Sequence, residues 1–281
     1  MMKVIESIAE MAEISRQVHL RNQRLGFVPT MGYLHEGHLS LMRVARQDSD
    51  ILAVSIFVNP TQFAPGEDFE KYPRNFEGDQ ALCRQEGVDI LFYPAAQEMY
   101  KPDHKTYVIT DQLAARLCGI RRPTHFQGVT TIVAKLFNII QPDLVVFGQK
   151  DAQQILIIRR MVEDLNFPVK IMVAPIIREA DGLAMSSRNK YLTPELRTKA
   201  LVLNRALREA ERLIQGGEKK TRIIEESMLG MIRMVPEVRL DYLAIVDSNN
   251  LEPVAEIKSN TLIDLAAYLG TTRLIDNVLI T

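Results

Sequence analysis

His35 and His38 lie three residues apart in the stretch Pro29-Thr30-Met31-Gly32-Tyr33-Leu34-His35-Glu36-Gly37-His38, which holds two of the chain's five histidines. From about Gly37 onward Leu41, Met42, Val44 and Ala45 recur at helical spacing, so the two imidazoles share one face at the first turn of a helix. The apolar run 25–28 before them ends at Pro29 and reads as a buried strand leading into a glycine turn. A helix start offers unpaired N–H groups and partial positive charge, which suit a phosphate. Two imidazoles beside it add donors for charge growing on a leaving group. Alone, a histidine here is more often a cap or a surface residue. A zinc pair needs histidines four apart and a third ligand, and His-Glu-Gly-His has neither.

Other polar residues fall just past the strands expected at 51–58, 88–93, 143–148 and 169–177. They are Asn59 and Gln62, then Gly148, Gln149, Lys150, Asp151 and Gln154, then Met185-Ser186-Ser187-Arg188. Open parallel sheets bind ligands outside the C-terminal ends of their strands, so this shared placement marks a site where each group alone would be ordinary loop polarity. Asp151 also suits a plain helix start. In a functional reading Lys150 goes to a phosphate and Asp151 to a ribose hydroxyl. Gln154, one turn on, faces the same way as Lys150. Two hydroxyls and a guanidinium at 186–188 suit phosphate, although serine-rich loops are common.

The elements that must position these groups alternate between strand and helix through the first 177 residues. Helices are expected at 7–20, from 37, at 75–87, 129–140 and 150–166, with a short strand at 106–110, a short helix at 111–117 and a loop at 119–127. Short connections between them predict an α/β, Rossmann-like parallel sheet with helices on both faces. After residue 178 the rhythm changes: helices at 194–215 and 221–234, then strands at 240–246, 261–268 and 272–280, predict a smaller α+β C-terminal domain. The expected division is 1–177 and 178–281. Of 281 residues 47% are hydrophobic and 25% charged, with a net charge of −1 and two cysteines. That balance fits a globular protein and gives no broad attraction to nucleic acid or to an anionic membrane. With no signal-peptide core, no membrane-length apolar run and no disulfide framework, the expected location is the cytoplasm.

The stretches 29–38, 57–63 (Phe57-Val58-Asn59-Pro60-Thr61-Gln62-Phe63), 125–129 (His125-Phe126-Gln127-Gly128-Val129), 147–151 and 181–189 together resemble the pantothenate synthetase family. It falls within the nucleotidyltransferase superfamily that also includes class I aminoacyl-tRNA synthetases. The likeness runs along essentially the whole chain. One departure is Ala180, where the family pattern has proline; it removes no contacting group.

The resemblance implies an AMP-forming ligase that joins pantoate to β-alanine through pantoyl adenylate, with ATP and Mg²⁺ and no protein ligand to a metal. It also implies a homodimer. By resemblance Thr30, Met31, His35, His38, Gly148, Lys150, Asp151, Met185, Ser186, Ser187 and Arg188 contact ATP, with His35, His38, Lys150 and Arg188 catalytic. Gln62 and Gln154 hold pantoate between apolar walls such as Met31 and Val133, and Asn59 holds the region of nucleotide and intermediate. No general base for the β-alanine amine is evident. Rival readings are another adenylate-forming ligase, a nucleotidyl transferase that keeps AMP in its product, and a nucleotide-sensing module without turnover. A dehydrogenase is disfavoured, since no Gly-x-Gly-x-x-Gly follows the first strand.

Overall fold

A computed structural model describes residues 2–281. Six strands, β1 (Lys3–Ile5), β2 (Leu25–Thr30), β3 (Ile51–Ile56), β4 (Ile90–Phe92), β5 (Leu144–Gly148) and β6 (Lys170–Ala174), form one sheet. It is parallel throughout, in the order β1-β4-β3-β2-β5-β6. The helices of this part are α1 (Ile8–Leu20), α2 (Glu36–Gln47), α3 (Phe76–Gln85), α4 (Ala96–Met99), α5 (Cys118–Arg121), α6 (His125–Ile140) and α7 (Ala152–Asp164). α1, α6 and α7 bury Met11, Val18, Ile132, Phe137, Ile155 and Ile158 with Phe27 and Val145. α2 and α3 bury Leu39, Met42 and Cys83 with Val28, Leu52 and Val146. Strands covered on both faces carry apolar residues on both, which is why 51–54 and 144–147 are nearly continuous apolar runs.

Chain order reverses between β2 and β5, and there the sheet parts. β2 pairs with β3 along all six of its residues, but with β5 only at Gly26↔Leu144 and Phe27↔Val145. Successive residues of a parallel strand turn their N–H and C=O to alternate edges. Leu25 exchanges bonds with Asp143 on the β5 side, while Thr30 accepts from Phe57 on the β3 side. Pro29 therefore turns its nitrogen to the β5 edge after that ladder has ended, so the strand runs past it to Thr30 without losing a bond. The switch point thus opens at the C-terminal ends of two neighbouring strands.

One strand is unexpected, and three expectations need correction. β1 is an edge strand beyond β4, too short to announce itself. The segment 106–110 forms no strand, because its backbone is satisfied by a helix: Val108 N–H donates to Thr131 Oγ1, and Thr130 Oγ1 donates to Val108 O. The expected loop at 119–127 contains α5 and the first turn of α6. The strand expected at 169–177 is shorter, β6 ending at Ala174.

The C-terminal part packs α8 (Pro194–Gln215) and α9 (Thr221–Arg233) on an antiparallel sheet of β7 (Val238–Asp247), β8 (Thr261–Leu269) and β9 (Thr272–Ile280). Thr193 caps α8, its side chain accepting from Leu196 N–H, with Pro194 next in line, a favourable helix start. Ile263, Leu265, Ala267 and Leu269 line the helix-covered face with Leu203, Leu207 and Met228. By contacts the chain forms two units. The first holds residues 2–115, Gly119–Gly148 and Gln153–Pro175; the second holds Arg116–Cys118, Gln149–Ala152 and Ile176–Thr281. Among the described residues no helix is long and apolar enough to cross a membrane.

Candidate active site

The turn from β2 into α2 is built around a buried carboxylate that the sequence does not advertise. Asp79, on α3, accepts from Tyr33 N–H (2.8 Å) and Leu34 N–H (2.7 Å). Burial pushes its pKa up while those two bonds pull it down, and burial prevails. Gly32 has φ +81°, and a Cβ there would lie 2.9 Å from both Asp79 Oδ2 and Ile56 Cγ2, so only glycine fits the bend. Thr30 Oγ1 donates to Ser55 O (2.8 Å) and accepts from Gly32 N–H (3.1 Å). This framework delivers His35 as the residue that caps α2 and His38 as its third helical position.

The rings of His35 and His38 lie 4.1 Å apart, tilted at 41°. His35 N–H donates to His38 Nδ1 at 3.3 Å. A nitrogen that accepts carries no proton, so the neutral His38 ring bears its hydrogen on Nε2. Two imidazoles at the free N–H end of a helix form a donor set for an anion. At the end of β5, Gly148 lies against α2, where a Cβ would meet Leu41 Cδ2 at 3.7 Å.

A second cluster follows β3. Asn59 caps the turn Pro60–Gln62, and its Nδ2 donates to Gln62 Oε1 (3.1 Å) and to Gly128 O (3.0 Å). Gln62 is buried, and its Nε2 meets the Met31 sulfur at 3.0 Å. A thioether is a weak acceptor, so a carboxylate or hydroxyl arriving there would be a better partner. His125 Nδ1 lies 2.9 Å from Gln62 O, Arg122 Nη2 donates to the same oxygen, and Arg122 holds Glu67 through two bonds of 2.7 Å. α6 comes so close that a Cβ on Gly128 would lie 2.6 Å from Gln62 N and Cα. The stretch 125–129, which carries no assigned role in the sequence, is the support of Gln62.

In the second unit, Lys150 and Asp151 occupy the turn Gln149–Asp151 directly after β5, with Lys150 Nζ 3.7 Å from Asp151 Oδ2. Ser186 caps the turn Ser187–Tyr191, its Oγ accepting from Arg188 N–H (3.3 Å). Ser187 is buried, and Met185 N–H donates to Ile177 O (3.0 Å). The loop is shaped by a turn over residues 179–182, closed by Gly182 N–H to Glu179 O (2.8 Å). Ala180 occupies the second position of that turn, where proline would only preset φ. Asn189 Nδ2 donates to Glu179 Oε1 (2.7 Å) and Ala184 O (3.1 Å), and Arg197 braces Glu179 (2.6 Å).

Of the residues singled out by sequence, Thr30, Met31, His35, His38, Asn59 and Gln62 gather in the first unit at the C-terminal ends of β2 and β3, with Gly148 ending β5. Val133 is packed in the core of α6, and Gln154 stands half-buried in the first turn of α7. Lys150, Asp151, Met185, Ser186, Ser187 and Arg188 belong to the second unit. Asp79, Arg122 and His125 are supports that sequence reasoning missed. Asp79 sits in the first turn of a short helix, where an acid is unremarkable. Among the described residues no group of three or more His, Cys, Asp or Glu could hold a metal.

The sequence profile of the family described as pantoate-beta-alanine ligase matches residues 3–279. The pantothenate synthetase of Thermotoga petrophila is 52% identical over 279 residues, covering 99% of this chain and 100% of that protein. The crystal structure of pantothenate synthetase from Thermus thermophilus is similar at a TM-score of 0.94 and 45% identity, covering 99% of each chain. The pantoate-beta-alanine ligase of Francisella tularensis, solved in complex with beta-gamma ATP and beta-alanine, gives a TM-score of 0.80 at 34% identity, covering 99% of this chain and 98% of that one.

Proposed function

The chain belongs to the pantoate–β-alanine ligase family, and from that premise we propose how its residues divide the reaction. The pantoate carboxylate attacks the α-phosphorus of ATP, giving pantoyl adenylate and releasing pyrophosphate. The β-alanine amine then attacks the acyl carbon of this mixed anhydride, forming the amide, expelling AMP and losing a proton. The observation that carries the assignment is the pair of imidazoles 4.1 Å apart at the start of α2. They lie beside the point where β2 and β5 part.

His35 and His38 Nε2–H, with Lys150, Ser186, Ser187 and Arg188, are assigned to the triphosphate. Charge grows there as pyrophosphate leaves, and donors placed in advance lower that barrier most. Thr30, Met31, Gly148 and Met185 are assigned to the nucleotide's walls, and Asp151 with Gly148 to its nucleoside. Gln62 and Gln154 are assigned to pantoate. Neutral amides orient a carboxylate without the tight ion pair that would blunt it as a nucleophile. Asn59 ties Gln62 to α6 and is assigned to the region where the adenylate forms. Mg²⁺ is proposed to enter with ATP: a hard cation that keeps most of its water binds readily through phosphate oxygens, and it would offset their charge. No side chain is assigned as base to the β-alanine amine; proximity to an activated acyl group carries that step. We take the enzyme to be a cytoplasmic homodimer, as the resemblance implies.

Product analysis with MgATP tests this. AMP is expected only with both pantoate and β-alanine, and pantoate alone is expected to support exchange of pyrophosphate into ATP. ADP as product would overturn attack at the α-phosphorus. In the same assay His38→Ala is expected to lower kcat for adenylate formation by about 10²-fold with pantoate KM unchanged. Full activity would remove His38 from the leaving-group role.

A further inference from the structure

We propose that Asn277, on β9, is a positioning residue that fixes Lys150 for its work at the triphosphate; the inference rests on the assignment of Lys150 above. Asn277 is buried in the middle of its strand. Its Nδ2 donates to Gln149 O (3.1 Å) and Lys150 O (2.9 Å), and its Oδ1 accepts from Gln149 Nε2 (3.1 Å). Two carbonyl acceptors on one side and an amide donor on the other determine which way the Asn277 amide points.

The need for such a clamp follows from the turn it holds. Gln149–Asp151 is a single short turn that runs directly into α7, and each of its carbonyls has a second lone pair that a side-chain donor can take. Held at two successive carbonyls, the Lys150 backbone fixes the direction in which its side chain leaves the chain. A long, flexible ammonium stem is otherwise costly to localise. Asparagine is depleted in strands, and a buried amide left without partners is destabilising. These three side-chain bonds all go to one segment, the one that carries Lys150. The neighbouring residue makes a parallel arrangement on the other face. Asp276 shares its face with Leu265 by register. It binds Arg178 through two bonds (2.7 and 2.9 Å), and Arg178 donates in turn to Gly182 O (3.2 Å). Two successive residues of β9 therefore hold Gln149–Lys150 on one side and the base of the 178–188 loop on the other.

The test is pantoate-dependent ATP–pyrophosphate exchange by the wild type, Asn277→Ala, Asn277→Leu, Lys150→Ala and the Lys150→Ala/Asn277→Ala double variant, with thermal unfolding of each. Losing the clamp is expected to lower kcat roughly ten- to a hundredfold, the effect of a misplacement of about 1 Å, with pantoate KM unchanged. In the Lys150→Ala background, Asn277→Ala is expected to cause no further loss, since the residues act as a unit. An equal fold-loss in both backgrounds would reduce Asn277 to a structural role and overturn the inference, as would wild-type rates in folded Asn277→Ala or Asn277→Leu. Leucine keeps the volume and is the variant read if alanine unfolds the protein. A wild type without exchange would instead overturn the proposed reaction, and an active Lys150→Ala would overturn the assignment of Lys150; either takes this inference with it.

Discussion

Asp79 shows how much of the turn ahead of the histidine pair can hang on one side chain from another helix. Its two oxygens take the N–H groups of Tyr33 and Leu34, the residues just before the histidine pair. Asparagine there would present one oxygen and an NH₂ group to two donors, leaving one N–H buried against another. Asp79→Asn is expected to destabilise the protein by about 1–3 kcal/mol, measured by urea unfolding, and to lower kcat for adenylate formation because His35 and His38 lose their frame. Unchanged stability would show that water replaces the lost acceptor. The histidines themselves were legible, since their spacing and the glycine turn are local signals. Asp79 was not, because it meets its partners across 45 residues or more of chain.

At the level of elements, α6 and the turn Pro60–Gln62 meet backbone to backbone. Gly128→Ala would set a methyl group 2.5 Å from Thr61 O and 2.6 Å from Gln62 N, and backbone cannot swing aside as a side chain can. The expected result is a loss of about 1–3 kcal/mol, as for an overpacked core, together with a raised pantoate KM as Gln62 shifts. Thermal unfolding and initial rates check both parts, and an unaltered KM would detach Gln62 from pantoate. The strands of the parallel sheet other than β1, and the long helices, were readable from apolar runs and helical spacing, because burial on both faces leaves that imprint. The segment 106–110 misled because extended backbone satisfied by Thr130 and Thr131 carries the same residue types as a strand. Pro29 reads as a strand end, yet the ladder it would interrupt has already ended.

For the molecule as a whole, the second unit carries a fully buried acid, Asp264, which accepts from the Tyr242 hydroxyl (2.8 Å). Burial pushes its pKa to about 7, against the pull of Tyr242 and Arg273 and with the help of the Asp276 and Asp151 charges. The folded state therefore keeps a proton that the unfolded chain has already lost above its ordinary carboxyl range. Stability accordingly falls as pH rises from about 4 to 7. Asp264→Asn is expected to flatten that fall and to gain about 1–3 kcal/mol at pH 8, read from urea unfolding at a series of pH values; an equal slope in the variant would place the loss elsewhere. The α/β and α+β parts were legible from the change of rhythm near residue 178. That Gln149–Ala152 and Arg116–Cys118 keep company with the C-terminal segment was not, since an asparagine in a strand and an arginine bonded to Leu251 O leave no pattern in the chain. The clamp at Asn277 has a consequence for the order of biosynthesis. A ribosome delivers Lys150 well before the strand that orients it, at everyday elongation rates on the order of ten seconds earlier. During that interval the nascent chain can complete its parallel sheet while the lysine turn is still without its brace.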